Sequence, residues 1–401
     1  ILTPSFVIDP GELLVMGGVI TCVDVSCAGA TGAASATIIE TRGIVSPGLI
    51  DSHNHIAYNF LPEWVPNPLR LFQNRYQWAD DPQYEAFVKP YAARRATGTH
   101  YCPAAKWGEL RSLVHGTTTV QGQSFEQSCV NWGVRNAEHF HNLPSAAAPL
   151  DQMRTNIGSV RDLTDADAQN LLASFDANVT RYAVHMQEGT SLNNVTLEFE
   201  SFAGRDTRQN RHMGISLLYD ETSILIHSMA LTEAQLTEVA DTGAKVVWSP
   251  SSNMVLYGQT ANIKRILELG IVTGIGPDWT PSGEDELLSE FRFALNYAAN
   301  NVVPAITPAR VWQMATADGA EVVGLQQYIG RIEVGKRGDL VVFGRRGDDA
   351  FRAVTDSRAA DVRLVLIEGK GFYGDANLQA ATARNNLCDS FNACGTSKYL
   401  C

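Results

Sequence analysis

The stretch Gly43-Ile44-Val45-Ser46-Pro47-Gly48-Leu49-Ile50-Asp51-Ser52-His53-Asn54-His55 constrains the fold most tightly. An apolar run passes through Pro-Gly into two histidines one residue apart. Ile44, Val45, Leu49 and Ile50 suit a strand buried on both faces. Side chains on a strand alternate with period two, so His53 and His55 point the same way at its end. Two converging imidazoles make half of a tetrahedral metal site, although an isolated His-x-His is more often a polar loop.

The middle of the chain repeats this grammar. Strands are expected at Gly116–Val120, Arg181–Met186, Ser223–His227, Lys245–Trp248 and Ile271–Gly276. Helices are expected from Asp165 to Ala177 with Thr164 as N-cap, and over Thr232–Thr242, Thr260–Leu269 and Asp285–Ala299. The aromatic segment from Tyr58 to Trp107 is too long for a plain loop and is read as helices covering a strand end. Strand-helix alternation of this length predicts an α/β fold, a parallel (β/α)8 TIM barrel over residues 46–329, with its site at the C-terminal strand ends. The chain ends differ in texture. Leu13–Ile20 reads as a hairpin around Gly17-Gly18, Gly330–Phe343 as strand-turn-strand, and Val362–Gly369 as a further strand. Residues 1–45 and 330–375 are therefore expected to build one small β-sandwich domain, leaving 376–401 as a cysteine-containing tail.

The strand ends carry the chemistry. His185 closes one strand with Glu188 three residues on, His227 closes another, and Asp278 follows a third. Each alone reads equally well as a core histidine or a helix cap. With His53 and His55 these make six polar groups aimed at one barrel mouth, which are hard to explain by packing.

As a set, Pro47–His55, His185-Met186-Gln187-Glu188, His227, Ser249-Pro250-Ser251-Ser252-Asn253 and Gly276-Pro277-Asp278 resemble the amidohydrolase superfamily. The similarity is to the mononuclear-metal branch that holds cytosine deaminase and the triazine hydrolases, and it spans about residues 5 to 375. The resemblance implies that His53, His55, His185 and Asp278 bind one divalent metal, with Zn²⁺ favoured and Fe²⁺ the alternative. It implies that Asp278 accepts a proton from water, that Glu188 shuttles it to a ring nitrogen or leaving group, and that His227 holds the water or polarises the electrophile. The implied activity is hydrolysis at a carbon–nitrogen bond, foremost deamination of an amino-substituted heterocycle. Opening of a cyclic amide or imide, or cleavage of an acyl amide, is the alternative, and a non-catalytic binding barrel is the remote one. Two-metal branches use a carboxylated lysine at a middle strand end. Lys89 and Lys106 both precede the Gly116–Val120 strand, so one metal is expected, with Glu138 the first suspect for a second. Trp279, Ser282 and His141 are candidate substrate contacts, and Trp64 and Tyr76 are read as core or as stacking partners for a flat ring. After Asp278 the close relatives tend to carry Ser and then Asn. Here Trp279–Gly283 keeps the Ser and lacks the Asn.

Other classes are excluded or disfavoured. There is no His-x-Glu with Pro-Cys-x-x-Cys, no Gly-x-Ser-x-Gly elbow, and no Gly-x-Gly-x-x-Gly after a strand. A net charge of -12 without a Lys/Arg run argues against nucleic acid, and no apolar run nears the roughly 18 residues of a membrane helix; the hydrolysis that the resemblance implies makes a small molecule the expected partner, with a homo-oligomer left open. Cys22, Cys27, Cys102, Cys129, Cys388, Cys394 and Cys401 lack metal-type spacing and are disulfide candidates. That points to a periplasmic or secreted protein, with the cytoplasm as the alternative, and a start at Ile1 rather than Met fits a leader either removed or left out of the sequence.

Overall fold

The computed structural model describes residues 1–94, 101–122, 133–138, 143, 153–156, 158–177, 179–190, 192–218, 220–393 and 395–401. Sixteen strands appear among them. β1 (Glu12–Met16) and β2 (Val19–Asp24) form the expected hairpin, which turns on Gly17 and Gly18, both left-handed. β3 (Gly43–Pro47) precedes β4 (Leu49–Asp51), so the opening apolar run is two strands in two different sheets. β5 (Thr117–Val120), β6 (Arg135–Asn136), β7 (Met153–Asn156), β8 (Arg181–Met186), β9 (Ser223–His227), β10 (Lys245–Trp248) and β11 (Thr273–Ile275) follow. The chain finishes with β12 (Leu340–Gly344), β13 (Val362–Ile367), β14 (Lys370–Asp375), β15 (Asp389–Ala393) and β16 (Thr396–Leu400).

β4 to β11 are the eight parallel strands of a (β/α)8 barrel, seen as arcs β4-β5-β6 and β7-β8-β9-β10-β11. The arcs meet where Ser52 N–H donates to Ile275 O at 3.1 Å and Asn54 bridges Asp278. On the other side Ala137 and Met153 share an apolar cluster with Ala183, Ile224, Ile226 and Val247. That cluster fills the barrel interior, and residues 320–329 close its base. Alternate strand residues (Val184, Leu225, Val246) face outward into the larger core beneath the helices.

The helix over Asp165–Ala177 falls where the sequence places it, and the one expected over Thr232–Thr242 spans Glu233–Thr242, with Thr232 and Gln235 forming a capping box at its start. The helix at Pro250–Tyr257 is absent from the sequence reading, because Ser-Pro-Ser-Ser-Asn resembles a loop, yet proline at the first helical position suits a helix start. The aromatic segment carries short helices at Arg75–Ala79, Pro82–Phe87 and Lys89–Arg94, then a longer one at Tyr101–Val114.

The second unit differs from expectation at its ends. Residues 331–339 form no strand, only an isolated bridge from Arg337 to Val19, and β12 pairs with β3 on one side and β13 on the other. The segment 376–401 is no separate tail. β15 and β16 pair with each other and β16 pairs with β14, extending the sheet to β15-β16-β14-β13-β12-β3. The β1-β2 hairpin covers that sheet through Leu13, Val15 and Ile20 against Val45, Leu340 and Leu366, giving the sandwich.

Cys22 is bonded to Cys27 and Cys388 to Cys401. Cys102 is also disulfide-bonded, and Cys129 and Cys394 lie outside the described residues. Among the described residues no helix is long and apolar enough to cross a membrane.

Candidate metal centre and catalytic mouth

Every polar group singled out in the sequence at a barrel strand end converges on one mouth. His53 and His55 follow β4, His185 and Glu188 end β8, His227 ends β9, and Asp278 follows β11. Alternation explains His185, which shares parity with interior Ala183. It fails for His227, since Ile224 and Ile226 are the interior residues of β9. There the backbone turns left-handed, with φ 69° at His227 and 52° at Ser228, and the ring is brought to the cavity. Asp278 (φ 73°) and Gln187 (φ 47°), just before Glu188, do the same at two further strand ends. Such conformations cost of order 1–3 kcal/mol each and cluster at functional sites.

The donor atoms of His53, His55 and His185 lie within 4.8 Å of one another, as do those of His53, His227 and Asp278. Asp278 Oδ1 is 3.2 Å from His53 Nε2 and 3.3 Å from His55 Nε2. Ligand bonds of about 2.0–2.1 Å at tetrahedral angles put neighbouring donors about 3.4 Å apart. The far sides of the rings explain why Nε2 is the inward atom. His185 Nδ1 lies 3.3 Å from the Asn156 carbonyl, which only accepts, so Nδ1 carries the proton and Nε2 keeps its lone pair. His53 Nδ1 faces Gln121 Oε1 at 3.1 Å, and Gln121 is oriented in turn by its Nε2 donating to Thr155 Oγ1 and to Glu138 Oε1. His227 Nδ1 faces Asn253 Oδ1 at 3.0 Å. Burial pushes His185 well below the usual imidazole range, with the nearby Arg75 cation adding to it, and burial lowers His227 too. Burial alone would raise Asp278, but the hydrogen bond and charge of His53 hold its carboxyl well below the usual carboxylate range. Burial alone would lower His53, but the hydrogen bond and charge of Asp278 raise it, so that a proton sits there where a cation would. Imidazoles gathered on an ionised carboxylate are the donor set a divalent cation takes once that proton is displaced. The residues present fit one such ion.

Glu138 is no part of this donor set. Its Oε2 accepts from Gly122 N–H at 3.2 Å and its Oε1 from Gln121, so it backs a ligand's partner and does not bridge a second metal.

The mouth is a cavity of about 140 Å³ walled by Tyr58, Trp78, Tyr84 and Trp279, with Arg75 and Glu188 on one flank. Of the candidate substrate contacts, Trp279 lines the cavity. Ser282 does not. It sits behind, accepting from Trp279 Nε1 at 2.6 Å and facing Ser252 Oγ at 2.8 Å, and Ser252 donates to Asp278 Oδ2 at 2.7 Å. Trp64 packs in the aromatic cluster, and Tyr76 donates to Glu198. His141 lies outside the described residues.

Glu188 is held from both sides. Its Oε1 accepts from the Tyr257 hydroxyl at 2.6 Å, and its Oε2 lies 3.8 Å from Arg75 Nε and 3.6 Å from His227 Nε2. Arg75 and Tyr257 were not legible as site residues. The one signal available was Ser249–Asn253, which starts the helix that ends in Tyr257.

A barrel whose strand ends gather three histidines and an aspartate, with a further His and Glu beside them, defines a metal-dependent hydrolase architecture. The chain belongs to the amidohydrolase family, whose model matches residues 154–371. It is 25% identical to a 5-methylthioadenosine/S-adenosylhomocysteine deaminase of Desulforamulus reducens, covering 92% of this chain and 89% of that protein. A protein of the same description from Halobacterium salinarum is 25% identical over 85% of this chain and 82% of its own length. Among solved structures, a zinc-bound adenosine deaminase from Xanthomonas campestris superposes with a TM-score of 0.65 at 20% identity, covering 92% and 90% of the two chains. An Escherichia coli guanine deaminase gives 0.65 at 15% identity, covering 91% and 93%.

Proposed function

We infer that this chain is a hydrolase that removes an amino group from a heterocycle, using one divalent metal, zinc in the first instance. The observation that carries the reading is Glu188, a carboxylate fixed by Tyr257 and Arg75 beside His227 and facing the His53, His55, His185 and Asp278 donor set. A bound metal supplies an activated water at neutral pH by lowering that water's pKa.

The protein's own groups do the rest. Asp278 takes a proton from the attacking water and Glu188 carries it to the ring nitrogen. The second proton, given up as the new C–O bond becomes a carbonyl, passes by the same two carboxylates to the departing amine, and both end ionised as they began. The carbon gains an oxygen, the C–N bond breaks and ammonia leaves. His227, held neutral with Nδ1 toward Asn253, presents Nε2 to the reacting carbon's substituent. Trp78 and Trp279, tilted against each other with ring centroids 5.6 Å apart, and Tyr84 give the cavity an aromatic wall on which a flat ring can pack. The deaminase relatives make 6-aminopurine nucleosides the first substrates to try. The disulfides favour an oxidising compartment over the reducing cytosol.

The test is elemental analysis of untagged protein together with ammonia release from a panel of 6-aminopurine nucleosides, other amino-heterocycles, cyclic imides and acyl amides. One metal per chain with ammonia from a heterocycle supports the reading. Ring opening or amide cleavage without it moves the activity to the cyclic-amidase alternative. Absence of metal, with none taken up on dialysis against Zn²⁺, overturns both.

A further inference from the structure

Helix Leu192–Phe202 packs against β8 from outside the metal centre and carries one carboxylate, Glu198, that is wholly buried. Glu198 Oε2 accepts from the backbone N–H of Gln187 at 2.6 Å, and Oε1 accepts from the Tyr76 hydroxyl at 2.5 Å. Gln187 is the left-handed residue that immediately precedes Glu188, and such a conformation persists only where its surroundings hold it. The opposite side of the same turn is held by the chain that carries Tyr76. Arg75 N–H donates to the Glu188 carbonyl at 3.1 Å, Asn74 bridges Gly189, and Thr190 N–H donates to Gln73 O at 2.6 Å. Burial disfavours the Arg75 cation, but the charges of Glu188 and then of Glu198 more than offset this.

We propose that Glu198 is a positioning residue for Glu188, fixing the Gln187–Glu188 turn directly through the Gln187 amide and, through Tyr76 and Arg75, fixing the segment that clasps it. Helix packing alone does not call for this group. A buried carboxylate is costly unless paired, and an apolar side chain would fill the space between helix and strand at lower cost. Each partner of Glu198 leads to the turn that carries Glu188. The proposal rests on the reading of Glu188 as the proton carrier.

The test is a double-mutant cycle between Glu198→Gln and Glu188→Gln on the metal-loaded enzyme, with single-turnover rates on whichever substrate the wild type consumes. Glu198→Gln is expected to lower kcat about fivefold, the scale of one net hydrogen bond, with KM within about twofold and metal content unchanged. On the Glu188→Gln background it is expected to cost nothing further, because it acts only through Glu188. Tyr76→Phe, which removes one hydroxyl and keeps the ring, should show a smaller loss with the same non-additivity, and carries the test if Glu198→Gln does not fold. Amide exchange over residues 185–190 should quicken in Glu198→Gln without any substrate present. Equal losses on both backgrounds, an unchanged kcat, or unchanged exchange overturns the proposal. Should the wild type deaminate nothing, the deaminase reading fails, while the exchange measurement still judges the hold of Glu198 on the turn.

Discussion

The Tyr257 hydroxyl donates to Glu188 Oε1 at 2.6 Å while accepting from Trp78 Nε1 at 2.7 Å. The second contact settles the first. An indole N–H only donates, so the phenol oxygen must accept from Trp78 and its own proton is left for Glu188. Burial pushes the Tyr257 phenol well above its ordinary range, and the Glu188 charge adds to it, so the donor stays protonated. Tyr257→Phe should therefore lower kcat by about tenfold, the scale of one charge-assisted hydrogen bond, with KM changed less than about threefold. Steady-state kinetics check this. A rise in KM alone would make Tyr257 a substrate contact instead.

The Gln121 amide supports a different outcome. It lies behind His53, with Oε1 toward Nδ1 and Nε2 engaged by Thr155 and Glu138. Gln121→Ala frees the His53 tautomer and ring without touching a donor atom. Metal affinity should fall by about 10–100-fold, the range for losing an outer hydrogen bond to a ligating histidine, as read by competition with a chromophoric chelator. His53→Ala, His185→Ala and Asp278→Asn should lose stoichiometric metal outright. Chelation of the wild type should abolish activity, and added Zn²⁺ should restore it.

The contrast between Gln121 and His53 shows where the sequence is legible. His53, His55, His185 and Asp278 stand at strand ends that announce themselves through β-branched and apolar runs, and the bounds of β8, β9 and β10 match those runs residue for residue. Gln121 also ends a strand, but a lone glutamine carries no signal of its own. Its partner is 68 residues away in sequence, and Tyr257 and Glu188 are 69 apart. Such contacts exist only once the barrel closes. The inward turn of His227 was hidden as well, because the strand's alternation predicts the opposite face and only the left-handed backbone reverses it. The C-terminal strands were missed because Asp389–Ala393 and Thr396–Leu400 carry few apolar residues and no clear apolar-polar alternation. They are an edge hairpin whose order comes from pairing with β14 and from the Cys388–Cys401 bond.

Glu290 gives the fold a pH dependence separate from the metal. Burial on the Leu287–Asn301 helix pushes its carboxyl up to about 8, against the hydrogen bonds that Ser251 donates from its amide at 3.1 Å and from its hydroxyl. The folded state thus holds a proton that the unfolded chain releases near the ordinary carboxyl value of about 4.3. Between these values the native state binds more protons, so this group's contribution to stability is present in full below the unfolded value. It is lost as pH rises toward about 8, beyond which it levels off. Glu290→Gln, which keeps the shape and one of the two acceptor oxygens without the charge, should gain in Tm relative to wild type as pH rises from about 5 to about 9. Calorimetry of the two proteins across that range checks the sign, and a difference that is flat or that shrinks with pH would refute it.

The Cys388–Cys401 bond offers a perturbation confined to the second unit. It closes 13 residues of sequence across the β15-β16 hairpin, and Cys401 N–H donates to Phe372 O at 2.8 Å where the hairpin meets β14. Cross-linking a loop of about this length is worth about 3 kcal/mol by restricting the unfolded chain, an upper figure where the open hairpin keeps its own ladder. The double variant Cys388→Ser/Cys401→Ser should therefore lower Tm by several degrees. Tyr399 anchors the hairpin independently, since it is fully buried with its hydroxyl against Thr382 Oγ1 at 2.6 Å, so the sheet should remain formed. Metal content and kcat should be unchanged, because β14, β13 and β12 stand between the hairpin and β3, which leads into the His53 strand. Calorimetry, metal analysis and turnover on the same preparation check all three. A loss of metal or of turnover in this variant would mean that the sheet's outer edge is coupled to the barrel mouth.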